Sequence, residues 1–198
     1  MARPRQFTDE AILEATRCCI LEHGPGVSTH MIAERIGMSQ AALFKRYGTK
    51  EKLMVEALTR PMGRFPFIDL IAEGPSPAPI KEQLLVLGIG FMAIMRKVVP
   101  CMAMLHAAGL EPHKNASEDA PSKTIRRELT RWFQTAIENK RLRPLDPASV
   151  AVAFMGMIHA RPFREIIVGD NSLTCSDEEY VSDVVDVFWA GMSLEQNS

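Results

Sequence analysis

The sequence predicts an all-α chain of about nine helices in two groups, on three observations. Apolar residues recur at three- and four-residue spacing in nearly every segment. The segments open on Ser, Thr, Asp or Pro and close at Gly or Pro. No stretch alternates apolar and polar residues as a half-buried strand does. With 198 residues, 46% of them hydrophobic and 24% charged, the chain suits one moderate domain or a small domain joined to a larger one.

Thr8 is an N-cap, with Asp9 and Glu10 in the dipole-favoured first turn of a helix that buries Ile12, Ala15, Thr16, Cys19 and Ile20. Gly24-Pro25-Gly26 stops it. Ser28 caps a short helix with Ile32 and Ile36 inward, and Ser39 caps another over 40–47 with Leu43 and Tyr47 inward. Gly48-Thr49 precedes a helix over 50–60 with Leu53, Ala57 and Leu58 inward, and Pro61 ends the group. The run Gly74-Pro75-Ser76-Pro77-Ala78-Pro79 is the clearest break. An apolar helix is predicted over 80–99, and a separate one from Pro100, closed by Gly109. Residues 110–121 read as a surface loop, and Ser122 as the cap of a helix reaching Lys140. Asp146-Pro147 opens a helix toward Val168 that Pro162 should kink or interrupt. Ser176 and Glu179 form a capping box for the last helix. The predicted division is 1–60 and 61–198.

The stretch STHMIAERIGMSQAALFKRY, residues 28–47, carries the chemistry. Small Ala33 lies where two helices cross, and Gly37, four residues on, takes the left-handed corner. That is helix-turn-helix geometry, whose second helix enters the DNA major groove. Gln40 matches an adenine edge, Ala41 and Ala42 permit close approach to a thymine methyl, and Lys45 and Arg46 reach phosphate or guanine. Lys50 opens a helix, where the dipole disfavours a cation, so a shared phosphate is expected there. Charge agrees: residues 1–60 hold 9 Lys/Arg against 7 Asp/Glu, a balance of +2, and the remainder 14 against 17, a balance of −3.

Residues 7–60 resemble the DNA-binding domain of the TetR family of bacterial transcriptional regulators, through FTDEAILEAT, STHMIAERIGMS and QAALFKRYGTKEKLMVEAL. The family pattern has Tyr then Phe in the recognition helix where this chain has Phe44 and Tyr47, which removes a phenol from the DNA-facing position. The resemblance implies three DNA-binding helices, a connecting fourth, and a C-terminal helical body for ligand binding and dimerisation. It implies a ligand-responsive repressor on a palindromic double-stranded DNA operator. Ser28, Thr29, Ser39, Phe44 and Tyr47 complete the expected DNA-contacting set.

For the C-terminal body, flexible methionines suggest a pocket for an apolar or aromatic small molecule. The expected lining is Phe91, Met92, Met95, Met102, His106, Trp132, Phe133, Met155 and His159. A homodimer is expected through small residues Ala153, Gly156 and Ala160 and the stripe Val181, Val184, Val185, Phe188 and Met192. No nucleophile elbow, phosphate loop, paired carboxylates or metal-ligand spacing appears, so neither enzyme, cofactor nor metal site is predicted. The competing reading is a helical interaction module that has lost DNA binding. Four cysteines without motif spacing read as reduced thiols. The apolar run 84–95 is too short to span a bilayer and no secretion signal precedes the first helix, so a cytoplasmic location without membrane attachment is expected.

Overall fold

The computed structural model describes residues 7–60, 65–111 and 121–193. Among them are nine helices: α1 Asp9–His23, α2 Thr29–Ile36, α3 Gln40–Tyr47, α4 Lys50–Thr59, α5 Pro66–Glu73, α6 Ile80–Ala107, α7 Pro121–Glu138, α8 Pro147–Phe163 and α9 Asp177–Met192. The predicted count is met, though by a different route. Helix α5 was not foreseen, and the two helices expected on either side of Pro100 are one helix of 28 residues. Most of the loop expected over 110–121 lies outside the described residues, and Pro121 already begins α7.

Contacts divide the chain into two compact units: Met1–Met62 with Val98–Asn115, and Gly63–Lys97 with Ala116–Ser198. In the first, Ile12, Ile20, Ile32, Leu43, Leu53, Ala57 and Leu58 form one core, joined by Cys101 and Leu105 from the end of α6. Thr8, Ser28, Ser39 and Thr49 each accept a backbone N–H of the helix they open. Gly37 sits at φ 79°, and the amides of Gly37 and Met38 both reach the Ala33 carbonyl, closing α2 within one residue. Arg17 is 5% exposed, and its guanidinium donates to the Ala57 carbonyl at 2.8 Å and the Arg60 carbonyl at 3.3 Å. A buried cation on α1 thereby satisfies open carbonyls at the end of α4.

In the second unit α5 packs on α7, α7 on α8, and α8 on α9. Phe67 and Ile71, four apart on α5, are both buried. Helix α6 is long and apolar enough, by length and composition, to cross a bilayer. Its residues Leu84, Leu87, Phe91, Met92 and Ile94 are buried in this unit's core instead. Gly88 and Gly90 bring it unusually close to its neighbours. A Cβ on Gly88 would lie 2.6 Å from Val181 Cγ1, and one on Gly90 2.9 Å from Phe67 Cβ.

Proline inside α8 behaves as expected. Pro162 lacks the N–H that continues the ladder, and Arg164–Val168 follow as π-helical turns. Glu165, in these turns, belongs to an ion cluster. Arg161 Nε is 2.9 Å from Glu165 Oε1 and 3.2 Å from Asp177 Oδ1, and its NH groups donate to the carbonyls of Cys175 and Ser176 at 2.6 and 2.8 Å. Arg96 Nε donates to Asp177 Oδ2 at 2.8 Å and Arg96 also pairs with Glu165. Hydrogen bonds from Arg96 chiefly hold both carboxyls below their ordinary range. The Ser176–Glu179 capping box adjoins this cluster.

Three outcomes follow from this packing. Gly88→Ala should destabilise the protein by about 1–3 kcal/mol in urea or thermal unfolding, because overpacking against the stiff Val181 exceeds the roughly 1 kcal/mol helix-propensity gain. Arg161→Met should cost about 2–3 kcal/mol at neutral pH, less than the loss for a fully buried pair, since Asp177 is part-exposed and keeps Arg96. The two carboxyls have depressed native pKa values, so their stabilisation is full above roughly pH 5 and disappears as pH falls through those values. Comparing wild type and Glu165→Gln across an acid series checks the sign: the variant's stability should fall less steeply.

Candidate functional site

Helix α3 is bonded at both ends and open in the middle. At its start, the Ser39 hydroxyl accepts from Ala42 N at 3.2 Å, and the Gln40 side-chain amide donates to Thr29 Oγ1. One amide N–H is thus engaged, and the other N–H with the carbonyl oxygen remains, which is the pair an adenine edge needs. At its end, Tyr47 is buried and its hydroxyl donates to Asp9 Oδ1 at 2.7 Å. Arg46 Nε is 2.7 Å from the same oxygen, and Arg46 NH1 donates to the Phe7 carbonyl at 2.9 Å. The Tyr47 hydroxyl, followed by Arg46, holds the Asp9 carboxyl below its usual range, while burial and then Asp9 push the Tyr47 phenol up. Between these ends Ala41, Ala42, Phe44 and Lys45 are exposed, Phe44 by 39%. Lys45 has no side-chain partner among the described residues, so its charge is available to a polyanion.

Several expected DNA contacts sit differently. Tyr47 faces inward on α1, where its hydroxyl finds the Asp9 carboxylate beneath α3. Thr29 is buried, with its hydroxyl oxygen engaged by Gln40. Lys50 Nζ donates to the Pro25 carbonyl at 3.0 Å, a bond inside the chain at this helix start. Ser28 accepts from Met31 N at 3.1 Å, and its hydroxyl proton stays free to donate.

The nine residues expected around one ligand divide between the two units. Met102 packs on the core of the first unit, and His106, exposed, belongs to that unit too. Phe91, Met92, Trp132 and Phe133 are buried in the second unit, and Met95, Met155 and His159 are half-buried there. The second unit's core is filled by rings: Trp132 and Phe133 meet edge-on at 5.2 Å, and Phe133, Phe154 and Phe188 form a triangle with 5.4–6.2 Å between centroids. His159 lies 5.5 Å from the Phe163 ring, and burial lowers its pKa.

Of the expected dimer stripe, Val181, Val184, Val185 and Met192 are buried within the chain's own core, because α9 must cover α6 and α8 before anything else. Phe188 is half-buried in the ring cluster. Ala153 and Gly156 are exposed and Ala160 half-exposed. On α8 and α9, apolar residues that the periodicity did not single out face solvent, among them Val152 at 54% and Val187 at 67%. An open groove of about 330 Å³ between α8 and α9, lined by Leu145, Val150, Ala153, Val187, Phe188 and Gly191, continues this surface.

The profile of bacterial regulatory proteins of the tetR family matches residues 12–57, and that of the AefR-like transcriptional repressor C-terminal domain matches residues 83–191. The chain belongs to the TetR family. It is a DNA-binding transcriptional regulator with a helix-turn-helix. A TetR family regulator from Pseudomonas syringae pv. tomato matches with TM-score 0.64 at 20% identity, over 95% of this chain and 100% of that one. SmeT, the repressor of the Stenotrophomonas maltophilia efflux pump SmeDEF, matches with TM-score 0.66 at 16% identity, over 96% and 93%. AibR, solved with isovaleryl coenzyme A and operator DNA, matches with TM-score 0.59 at 23% identity, over 89% and 95%. Among curated protein sequences, none matches this chain.

Proposed function

We propose that this TetR family member represses transcription as a homodimer on a palindromic operator, placing one α3 in each half-site, and releases it on binding an apolar or aromatic effector. The carrying observation is the open middle of α3: Ala41, Ala42, Phe44 and Lys45 exposed between two bonded ends. Gln40 reads an adenine, the alanines allow close approach to a thymine methyl, and Lys45 meets phosphate or guanine. Ser28 and Ser39 add hydroxyl donors at the helix starts. The protein acts in the cytoplasm, beside its DNA, and no catalytic step is part of this reading.

The two copies join through the solvent side of α8 and α9, where Val152, Ala153, Gly156, Val187 and Gly191 combine apolar surface with small residues. The effector enters the ring-lined core near Phe91, Met92, Trp132 and Phe133, with half-buried His159 as a polar group. Support for coupling comes from α6 itself. It is one continuous helix whose Phe91 and Met92 belong to that core and whose Cys101 and Leu105 belong to the core beneath the reading helix. An effector shifts DNA affinity only by its differential affinity for the two states, and couplings of about 1–3 kcal/mol are typical.

A duplex that the protein selects from a random-sequence pool tests the reading surface. Gln40→Ala should cost about 1–3 kcal/mol on that duplex and relax one base position, and Lys45→Gln should flatten the salt dependence by about one unit per half-site. Unaltered binding by both would remove α3 from the interface. For the dimer, Val187→Asp alters a side chain that faces solvent in the single chain. Sedimentation should show a folded monomer, whereas an intact dimer would place the interface on another face.

A further inference from the structure

We propose that Asp9, Arg46 and Tyr47 form a latch that sets the angle of α3 on α1, so that Arg46 and Tyr47 position the reading helix without touching DNA. The inference rests on α3 being that helix. One carboxylate oxygen, Asp9 Oδ1, takes both the Tyr47 hydroxyl and Arg46 Nε at 2.7 Å, and Arg46 NH1 reaches back to the Phe7 carbonyl at 2.9 Å. These bonds join residues nearly forty positions apart and converge on the first turn of α1. The Asp9–Arg46 pair is about half exposed and contributes little by itself. Tyr47, 7% exposed, brings a buried ring to this part-buried bond, which gives the arrangement its direction. At the opposite end of α3 the Gln40–Thr29 bond does the same, so the helix is held at two points about two turns apart.

Charge points the same way. An arginine already paired with a carboxylate brings no net positive charge toward a phosphate, so Arg46 displaces no counterions. Lys45, next to it and without a partner among the described residues, is the residue of α3 that does. Tyr47 also accounts for the exchange of rings along the helix. A phenol at position 44 faces solvent, whereas at position 47 it faces Asp9.

The test uses the full-length protein, the duplex selected from a random pool by the wild type, and a scrambled duplex of equal length, titrated across a salt series. Tyr47→Phe changes no charge and removes one hydroxyl. It should weaken binding to the selected duplex about 3- to 10-fold, leave the scrambled duplex unaffected, and keep the salt slope. Arg46→Gln, a half-exposed change that leaves the core intact, should give the same pattern. Asp9→Asn with Tyr47→Phe should lose little beyond the worse single variant, since both break one unit. Lys45→Gln is the reference for a true phosphate contact. If Arg46→Gln flattens the salt slope as Lys45→Gln does, Arg46 binds phosphate and the latch is wrong. If Tyr47→Phe lowers thermal stability but keeps the ratio of selected to scrambled affinity, the trio only holds the fold and the latch is wrong. If Lys45→Gln and Gln40→Ala are silent as well, the assignment of α3 itself fails and takes the latch with it.

Discussion

Helix α3 is eight residues long, and an isolated helix of that length is not stable in water. Its existence therefore depends on burial of its inner face, Leu43 and Tyr47, against the core shared by α1, α2 and α4. That dependence leaves a narrow outer strip for chemistry. Side chains three and four apart share a face, so residues 43 and 47 face inward together while 41, 42, 44 and 45 are left to solvent. The same economy governs α2, another eight-residue helix, whose Ile32 and Ala33 are buried and whose end is set by Gly37.

Polar groups in this first unit mostly work on other parts of the chain. Arg17 satisfies carbonyls at the end of α4, Lys50 bonds the carbonyl of Pro25, Gln40 bonds Thr29, and Arg46 bonds Phe7 and Asp9. The small basic excess over residues 1–60 thus includes cations held by bonds inside the chain. Affinity for a polyanion rests on uncommitted cations, and Lys45 is one of them.

In the second unit the controlling feature is the closeness of α6 to α9 at Gly88, together with the ring cluster around Phe133. A core filled this way admits a further molecule only by moving rings, and with them the helices that carry them. The ion cluster of Arg96, Arg161, Glu165 and Asp177 joins α6, the π-helical turns and the start of α9, so it resists independent movement of those elements.

Local signals determined the helix starts, the corner and the class. Thr8, Ser28, Ser39, Asp146 and Ser176 cap their helices as read, Gly37 turns the corner, and Pro162 disrupts α8, because caps, left-handed glycines and missing N–H groups act within a few residues. Pro66 before Phe67 and Ile71, with Gly74 after, is a legible sign of α5 in a stretch ahead of the break to which the sequence reading assigns no element. Tertiary structure decided the rest. Pro100 should end a helix, but buried residues on both sides, Phe91 and Ile94 before it and Cys101 and Leu105 after, carry α6 through it. Periodicity located an apolar stripe on α9 without saying which neighbour covers it, and packing assigned Val181, Val184 and Val185 to the chain's own core and left Val187 outside. Likewise the sequence placed Arg46 and Tyr47 on the reading helix. Only the fold brought Asp9, 38 residues earlier, beneath that helix to hold them, since contacts between distant positions arise from packing and leave no periodic trace in the chain.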